Sequence, residues 1–313
     1  MALSLGTLTA YVDEHKLPLI TQVLFGSQTG KLLNMQAGIK YAATINKLTT
    51  NATFQAAGCT WNPSALSTIT QRVLTVGHVQ VMESICIQDL DQYYTSTMLK
   101  AGREVDQALP FEALYATLKA DMIGRQLEIA YWQGDTASTN PNLKRFDGLL
   151  KLIDAAAASV NGNPTGITTA TGITAANVVG VMNGIYGLIP ANVLRNGNIK
   201  TMVGLDVFRT YQLALIAANA FNYSGAAAPA AGQLTITIPG TNLEIVALDG
   251  LTGTNRIIAT DTQNMYIGVD MLNEEEKFKM WESQDNLDYR FLADFKAGTQ
   301  IAFPEEIVSF KLV

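Results

Sequence analysis

Residues 110–135 read Pro-Phe-Glu-Ala-Leu-Tyr-Ala-Thr-Leu-Lys-Ala-Asp-Met-Ile-Gly-Arg-Gln-Leu-Glu-Ile-Ala-Tyr-Trp-Gln-Gly-Asp. Pro110 suits a first helical position, where its missing N–H removes nothing the helix needs. Phe111, Leu114, Leu118 and Met122 recur at spacings of three and four, which draws one apolar stripe along a helix over 110–133. Asp121 and Arg125 stand four apart with the acid first, a favourable surface pair. Gly134 follows as a C-terminal cap candidate. This is the clearest helix in the chain.

The segments around it read mostly as strands. Residues 39–48 and 68–87 are rich in Val, Ile and Thr, and Val73, Val79 and Val81 share one parity. They are expected to form the two long strands of a hairpin, joined by a loop holding Asn51, Gly58, Asn62 and Pro63. The first 36 residues read as an arm, with Gly26-Ser27-Gln28-Thr29-Gly30 a turn or loop. Residues 155–172 read as a linker or mobile loop, and a helix near 174–188 stops before Pro190. A strand at 199–204, a helix near 205–220 and a flexible loop at 224–232 come next. Strands then dominate, at 234–238, 243–248, 256–260, 265–269, 278–281, 287–295, 299–303 and 307–312. Runs of strands with few helices indicate α+β.

Composition adds a clue. The 21 Lys/Arg and 27 Asp/Glu make 15% of 313 residues, where about 25% is ordinary. The apolar fraction of 48% is normal, so the chain has a core and is not disordered. A chain with a normal core and few charges keeps part of its outside against something else. The deficit is local: residues 155–194 and 212–243 hold no Asp, Glu, Lys or Arg, whereas residues 270–313 hold fifteen charges. Boundaries therefore fall near 155 and 262. The net charge of −6 argues against a protein that wraps nucleic acid. Two cysteines, Cys59 and Cys86, make no disulfide framework and indicate a reducing compartment. The amino terminus lacks a basic start and an apolar core, so no signal peptide is expected. The uncharged stretch 176–194 is too rich in Asn, Gly and Pro for a membrane span.

The search for chemistry returns little. Gly26 to Lys31 has three residues between its glycines and Leu32 after the lysine, so it fails the phosphate-loop pattern. His15 lies in the arm and His78 in a strand, with no ligand spacing around them. No serine sits in a Gly-x-Ser-x-Gly elbow. Glu274-Glu275-Glu276 reads as a solvated turn, with a divalent-cation patch the other reading, and Glu305 and Glu306 beside Pro304 read likewise. Trp132, Trp281, Tyr289 and Phe291 read as core or interface. No catalytic, cofactor or metal site is expected.

The order of elements carries more. An arm, a long hairpin, one long helix, a Gly turn, an uncharged α/β region and charged closing strands follow in turn. Tyr131-Trp132-Gln133-Gly134-Asp135 ends the helix, and Phe146-Asp147-Gly148-Leu149-Leu150 comes shortly after Asn140-Pro141-Asn142. Late in the chain stand Phe278-Lys279-Met280-Trp281-Glu282 and Phe295-Lys296-Ala297-Gly298-Thr299-Gln300. In this layout and these short motifs the chain resembles the major capsid proteins of tailed bacteriophages, the Hong Kong 97-type fold.

The resemblance implies an N-terminal arm over 1–36 and an extended hairpin, or E-loop, over 37–86. It implies a peripheral domain around the spine helix over 87–154 and 262–313, and an axial domain over 155–261. It implies self-assembly into pentamers and hexamers of an icosahedral shell that encloses DNA without sequence-specific binding. Portal or decoration proteins would be further partners, with no cofactor and no membrane. The site would be the virion, assembled in the host bacterial cytoplasm. Candidate intersubunit contacts are Lys40, Lys47, Arg72, Gly134, Asp135, Glu274, Glu275 and Glu276. Lys40 and Lys47 fall where some family members form covalent Lys–Asn links. No scaffolding segment or cleavage signal is read at the amino terminus, so a processed chain or a separate scaffold is expected. An encapsulin-like nanocompartment and a hydrolytic enzyme are the alternative readings.

Overall fold

The computed structural model describes residues 23, 27–57, 59, 63, 67–86, 111–195, 197–218, 234–270, 278–283 and 288–313. The long helix is present as α2, Phe111–Gln133, preceded by a short α1, Gln28–Leu32. Ser27 caps α1 by accepting from the Gly30 N–H at 3.0 Å, so the segment read as a loop is a helix start. Ala116, Ala120, Ile123, Leu127, Ala130 and Tyr131 form the buried face of α2. The expected stripe therefore points the other way: Leu118 is 56% and Met122 63% exposed. Alanines admit close neighbours, and an apolarity count ranks them below Leu and Met, which is why the stripe misled. The Phe111 and Leu114 side chains lie outside the described residues.

Two hydrophobic cores organise the rest. Around α2 stands a five-stranded sheet in the order β1–β10–β12–β11, with β4 also on β12. Its strands are β1 (Asn34–Ala37), β4 (Gly77–Cys86), β10 (Met265–Val269), β11 (Phe278–Ser283) and β12 (Asp288–Ile301). The segments 287–295 and 299–303, expected as two strands, are the single strand β12. Gly298 does not break it; a Cβ there would meet the Thr75 carbonyl oxygen at 2.1 Å, so the glycine admits a crossing chain. The expected strand 68–87 is instead two. β3 (Ser67–Thr75) pairs with β2 (Ala42–Thr50) as a hairpin, and β4 joins β12 from Gly77↔Ala297 to Cys86↔Asp288. The switch falls at Val76, whose N–H reaches the Tyr41 carbonyl at 3.1 Å.

The second core surrounds a six-stranded sheet in the order β5–β13–β9–β6–β8–β7. These are Val160–Asn161, Val308–Phe310, Ile257–Asp261, Ile199–Gly204, Glu244–Leu248 and Thr235–Thr237. Helix α3 (Leu149–Ala155) leads into this region, and α4 (Val178–Leu188) and α5 (Leu205–Ala217) cover one sheet face. Val203, Ile245, Ala247, Ile257 and Ala259 point to α4 and α5, whereas Met202, Val246, Leu248 and Ile258 join the core around α2. This period of two lets one sheet serve both cores. The mixed composition is α+β, as the sequence indicates.

The last turn of α2 ties the parts together. Trp132 is fully buried, and its indole N–H donates to the Thr29 hydroxyl at 2.8 Å. Gly134 N–H continues the helix to the Ala130 carbonyl at 2.9 Å, and Gly148 N–H donates to the Gly134 carbonyl at 2.8 Å. A Cβ on Gly134 would lie 2.6 Å from the Ala130 and Phe146 carbonyl oxygens, and one on Gly250 would lie 2.5 Å from the Glu128 carbonyl. Arg256, 6% exposed, forks onto Asp154 at 2.6 and 3.1 Å and reaches the Ser309 hydroxyl at 2.9 Å. Burial pushes the Asp154 carboxyl up, but Arg256 and Lys311 outweigh it and hold the group below its usual range.

Glu128 is buried on α2, and among the described residues no cation pairs with it. Its carboxylate accepts from the Gln28 N–H at 3.0 Å and the Thr29 hydroxyl at 3.3 Å. Burial raises its pKa, with Asp249 adding to the rise, and the Gln28 and Gly250 N–H groups and Thr29 pull against it.

Two outcomes follow from this packing. Gly134→Ala and Gly250→Ala each lower unfolding free energy by about 1–3 kcal/mol through overpacking, read from urea midpoints. For Glu128 the folded pKa stands above its ordinary 4.5, so its stabilisation is complete below that value and is lost as pH rises through the folded pKa. Glu128→Gln removes this loss. Urea midpoints across the acid-to-neutral range should move in the variant's favour as pH rises; a constant difference would exclude the assignment.

Candidate assembly surfaces

The β2–β3 hairpin has two unlike faces. Inward, Ile45 and Leu74 pack with Ile39 and Ala302 in a small core of their own. Outward stand the alternate positions from Ala42 to Thr50 and from Ser67 to Thr75, ten residues, all exposed and none charged. Leu48 lies directly opposite Ile69, and Thr44 opposite Val73. Their exposures of 61%, 69% and, for Val73, 48% make an apolar patch that the chain leaves uncovered. Past the strand, residues 51–57 are exposed, Phe54 completely.

The candidate contacts named from sequence land in different places. Lys47 and Arg72 belong to the inward face, with Ile45 and Leu74, because they share that parity. Lys47 pairs with Glu305 and lies 4.8 Å from the centre of the Phe303 ring. Arg72 is half-buried opposite Ile45. Lys40 is exposed, and its carbonyl accepts from the Lys296 ammonium at 2.8 Å. Gly134 is buried in the close approach to Phe146 and Gly148, so it serves its own chain's packing and not a surface contact. Asp135 holds Lys151 at 2.7 Å, and Asp147 holds the same ammonium at 2.6 Å. Lys151 keeps the Asp135 carboxyl below its usual range; at Asp147 burial opposes this, and Lys151 with Thr136 prevails. Glu274, Glu275 and Glu276 lie outside the described residues, as does His15.

Other surfaces escaped the sequence reading. Leu118 and Met122 open from α2, and Leu213 (57%) and Ile216 (58%) from α5. On α4, Gly180, Asn183, Gly184 and Gly187 share an exposed face, and the three glycines have nothing within 4 Å of where a Cβ would stand. The signal for the hairpin patch was present as parity: its two charged residues share one face, and the other face is free of charge.

Little of this is suited to bond-making. His78 lies in β4 with its Nδ1 3.0 Å from Asp294. Cys59 is an exposed free thiol. Among the described residues no group of three or more His, Cys, Asp and Glu gathers to hold a metal ion, and no helix is long and apolar enough to cross a membrane.

Neither a protein-family model nor a curated protein matches the chain. Solved structures do. A chain of the satellite phage P4 procapsid including size determination (Sid) protein is 12% identical, with 99% of this chain and 98% of that chain covered and a TM-score of 0.60. A chain from Microbacterium phage Oxtober96 is 13% identical over 92% of this chain and 91% of its own, with a TM-score of 0.55. One from the capsid of Myoviridae phage XM1 is 12% identical over 90% of each chain, with a TM-score of 0.54. The fold is that of the Hong Kong 97-type phage capsid proteins, and it spans nearly the whole chain.

Proposed function

We propose that this protein is a major capsid protein, a structural subunit and not an enzyme, whose copies close into an icosahedral shell around phage DNA. The observation that carries the reading is the outward face of the β2–β3 hairpin, ten exposed residues without a charge and with Leu48, Ile69 and Val73 open to water. A two-stranded hairpin is marginal by itself, and an exposed apolar face on it marks a contact with another chain. The likeness to chains of phage particles supports a second copy as that chain. Hairpin and acceptor are different surfaces, so the contact is heterologous and closes into rings and shells.

In this reading residues 1–36 are the arm, and the hairpin within 37–86 overlaps a neighbour. Residues 87–154 and 262–313 form the peripheral domain, joined by β4. Residues 155–261 form the axial domain, in which the uncharged surfaces of α4 and of α5 beyond residue 211 meet around each pentamer and hexamer. An interface core depleted of charge is what such contacts need. Portal or decoration proteins dock on the finished shell. The net charge of −6 suits a wall that encloses DNA without gripping it. The three particles compared above are phage particles, which favours DNA over enzyme cargo as the contents.

Electron microscopy of the purified protein decides the matter. Uniform closed shells or capsomer rings are expected, and a stable monomer at high concentration would sink the reading. Leu48→Ser, Ile69→Ser and Phe54→Ser each leave folding stability within about 0.5 kcal/mol, since these side chains are exposed in the subunit. Each should raise the concentration needed for assembly by roughly tenfold or more, the loss of one large apolar contact. Mass spectrometry of the shell contents separates a DNA-filled capsid from a nanocompartment.

A further inference from the structure

The hairpin meets its own subunit at two levels. At the root, Ile45 and Leu74 pack with Ile39 and Ala302. Further out, Lys47 leaves the strand for the 3-10 turn Pro304–Glu306. Its ammonium pairs with the Glu305 carboxylate and sits over the Phe303 ring, 4.8 Å from the centre. The Lys47 side chain is only 19% exposed, although Asn46 and Leu48 on either side are exposed. Burial raises the pKa of neighbouring Glu306; Lys47 opposes the rise and Asp261 adds to it, so Lys47 acts on Glu306 as well as on its partner Glu305. Beyond Lys47, residues 48–57 and 67–71 are all exposed. Nine residues of strand span about 30 Å, so a small turn about the root moves the hairpin's outer end by several Å.

We propose that the Lys47–Glu305 pair is a latch that fixes the angle of the hairpin on its own subunit, and that this angle sets whether assembling copies close uniformly. The second half rests on the capsid reading. A latch of one charged pair on an aromatic ring is strong enough to bias an orientation and weak enough to yield to salt.

The test is amide hydrogen exchange on the unassembled subunit, for wild type, Lys47→Met and Glu305→Gln. Methionine keeps an apolar stem against Phe303 and removes the charge. Lys200→Met, which removes the Lys200–Glu244 pair at 2.9 Å in the second core, is the control. Amides of 42–50 and 67–75 should exchange roughly threefold faster in both latch variants and at the wild-type rate in the control. High salt should speed hairpin exchange in wild type and have no further effect in the variants. Under assembly conditions both variants should give mixed particle sizes or open sheets. Hairpin exchange at the wild-type rate in both variants overturns the latch. Faster exchange with shells as uniform as wild type overturns its role in closure. A wild-type chain that forms no particle overturns the capsid reading, and the exchange result still decides the latch.

Discussion

Trp132 has no room to move. Thr29 accepts its indole N–H, Gly250 lies against its ring edge, and the Gly148 backbone lies against its carbonyl. Three parts of the chain therefore meet at one residue: the start of α1, the loop after α2, and the turn between β8 and β9. Each approaches as glycine or through a small polar group, because nothing larger fits. The orientation of the second core relative to α2 depends on this contact. Met202, Val246, Leu248 and Ile258 then seal the same junction with apolar surface. If the last turn of α2 were displaced, both cores would lose packing together.

A second crossing of the same kind sets the hairpin. At its root, Gly298 admits the Thr75 carbonyl, Gly77 admits the Arg145 carbonyl, and Gly268 lies under Leu74. Glycines here are spacers between chains and not turn residues, since none of the three has a positive φ. They let β3 cross β12 closely before the chain changes sheets at Val76. The hairpin consequently leaves the body as a projection with a fixed root, and it can present one whole face to water. That face can stay apolar because it is uncharged and interrupted by Thr, Asn and Gln, which keep the free subunit hydrated.

Much of this was legible in the chain. The helix expected over 110–133 is Phe111–Gln133, and the elements near 199–204, 205–220 and 265–269 stand close to where propensity puts them. Periodicity reports local backbone conformation well, since it depends on neighbours three, four or two residues away. It failed where distant chains decide. Gly298 looks like a strand break until Thr75 is seen beside it. Leu118 and Met122 look like a core stripe until the alanines at 116 and 120 are found to be the buried ones. The hairpin shows the same limit. Lys47 and Arg72 drew attention because charge is conspicuous, yet both lie on the inward face, while the exposed outward face is conspicuous only for lacking charge.

The charge deficit follows from that surface logic. A lysine or glutamate at an interface core must be stripped of water, a penalty of several kcal/mol per ion unless a partner is placed to meet it. In a shell one chain must make its contacts in many slightly different settings, so exact placement of ion pairs is a poor solution there. Thr, Asn, Gln, Ala and Gly tolerate small changes of angle, and in the proposed contact Leu48 and Ile69 would contribute about 1.5–3 kcal/mol each when fully buried. Charges are better kept where the geometry is constant, within the subunit. Asp154 with Arg256 and Lys311, Asp270 with Lys296, and Lys47 with Glu305 all follow this pattern. If the chain is a shell subunit, as proposed, its shortage of charge is what variable contacts require, and the charges it retains hold fixed the parts that those contacts must find.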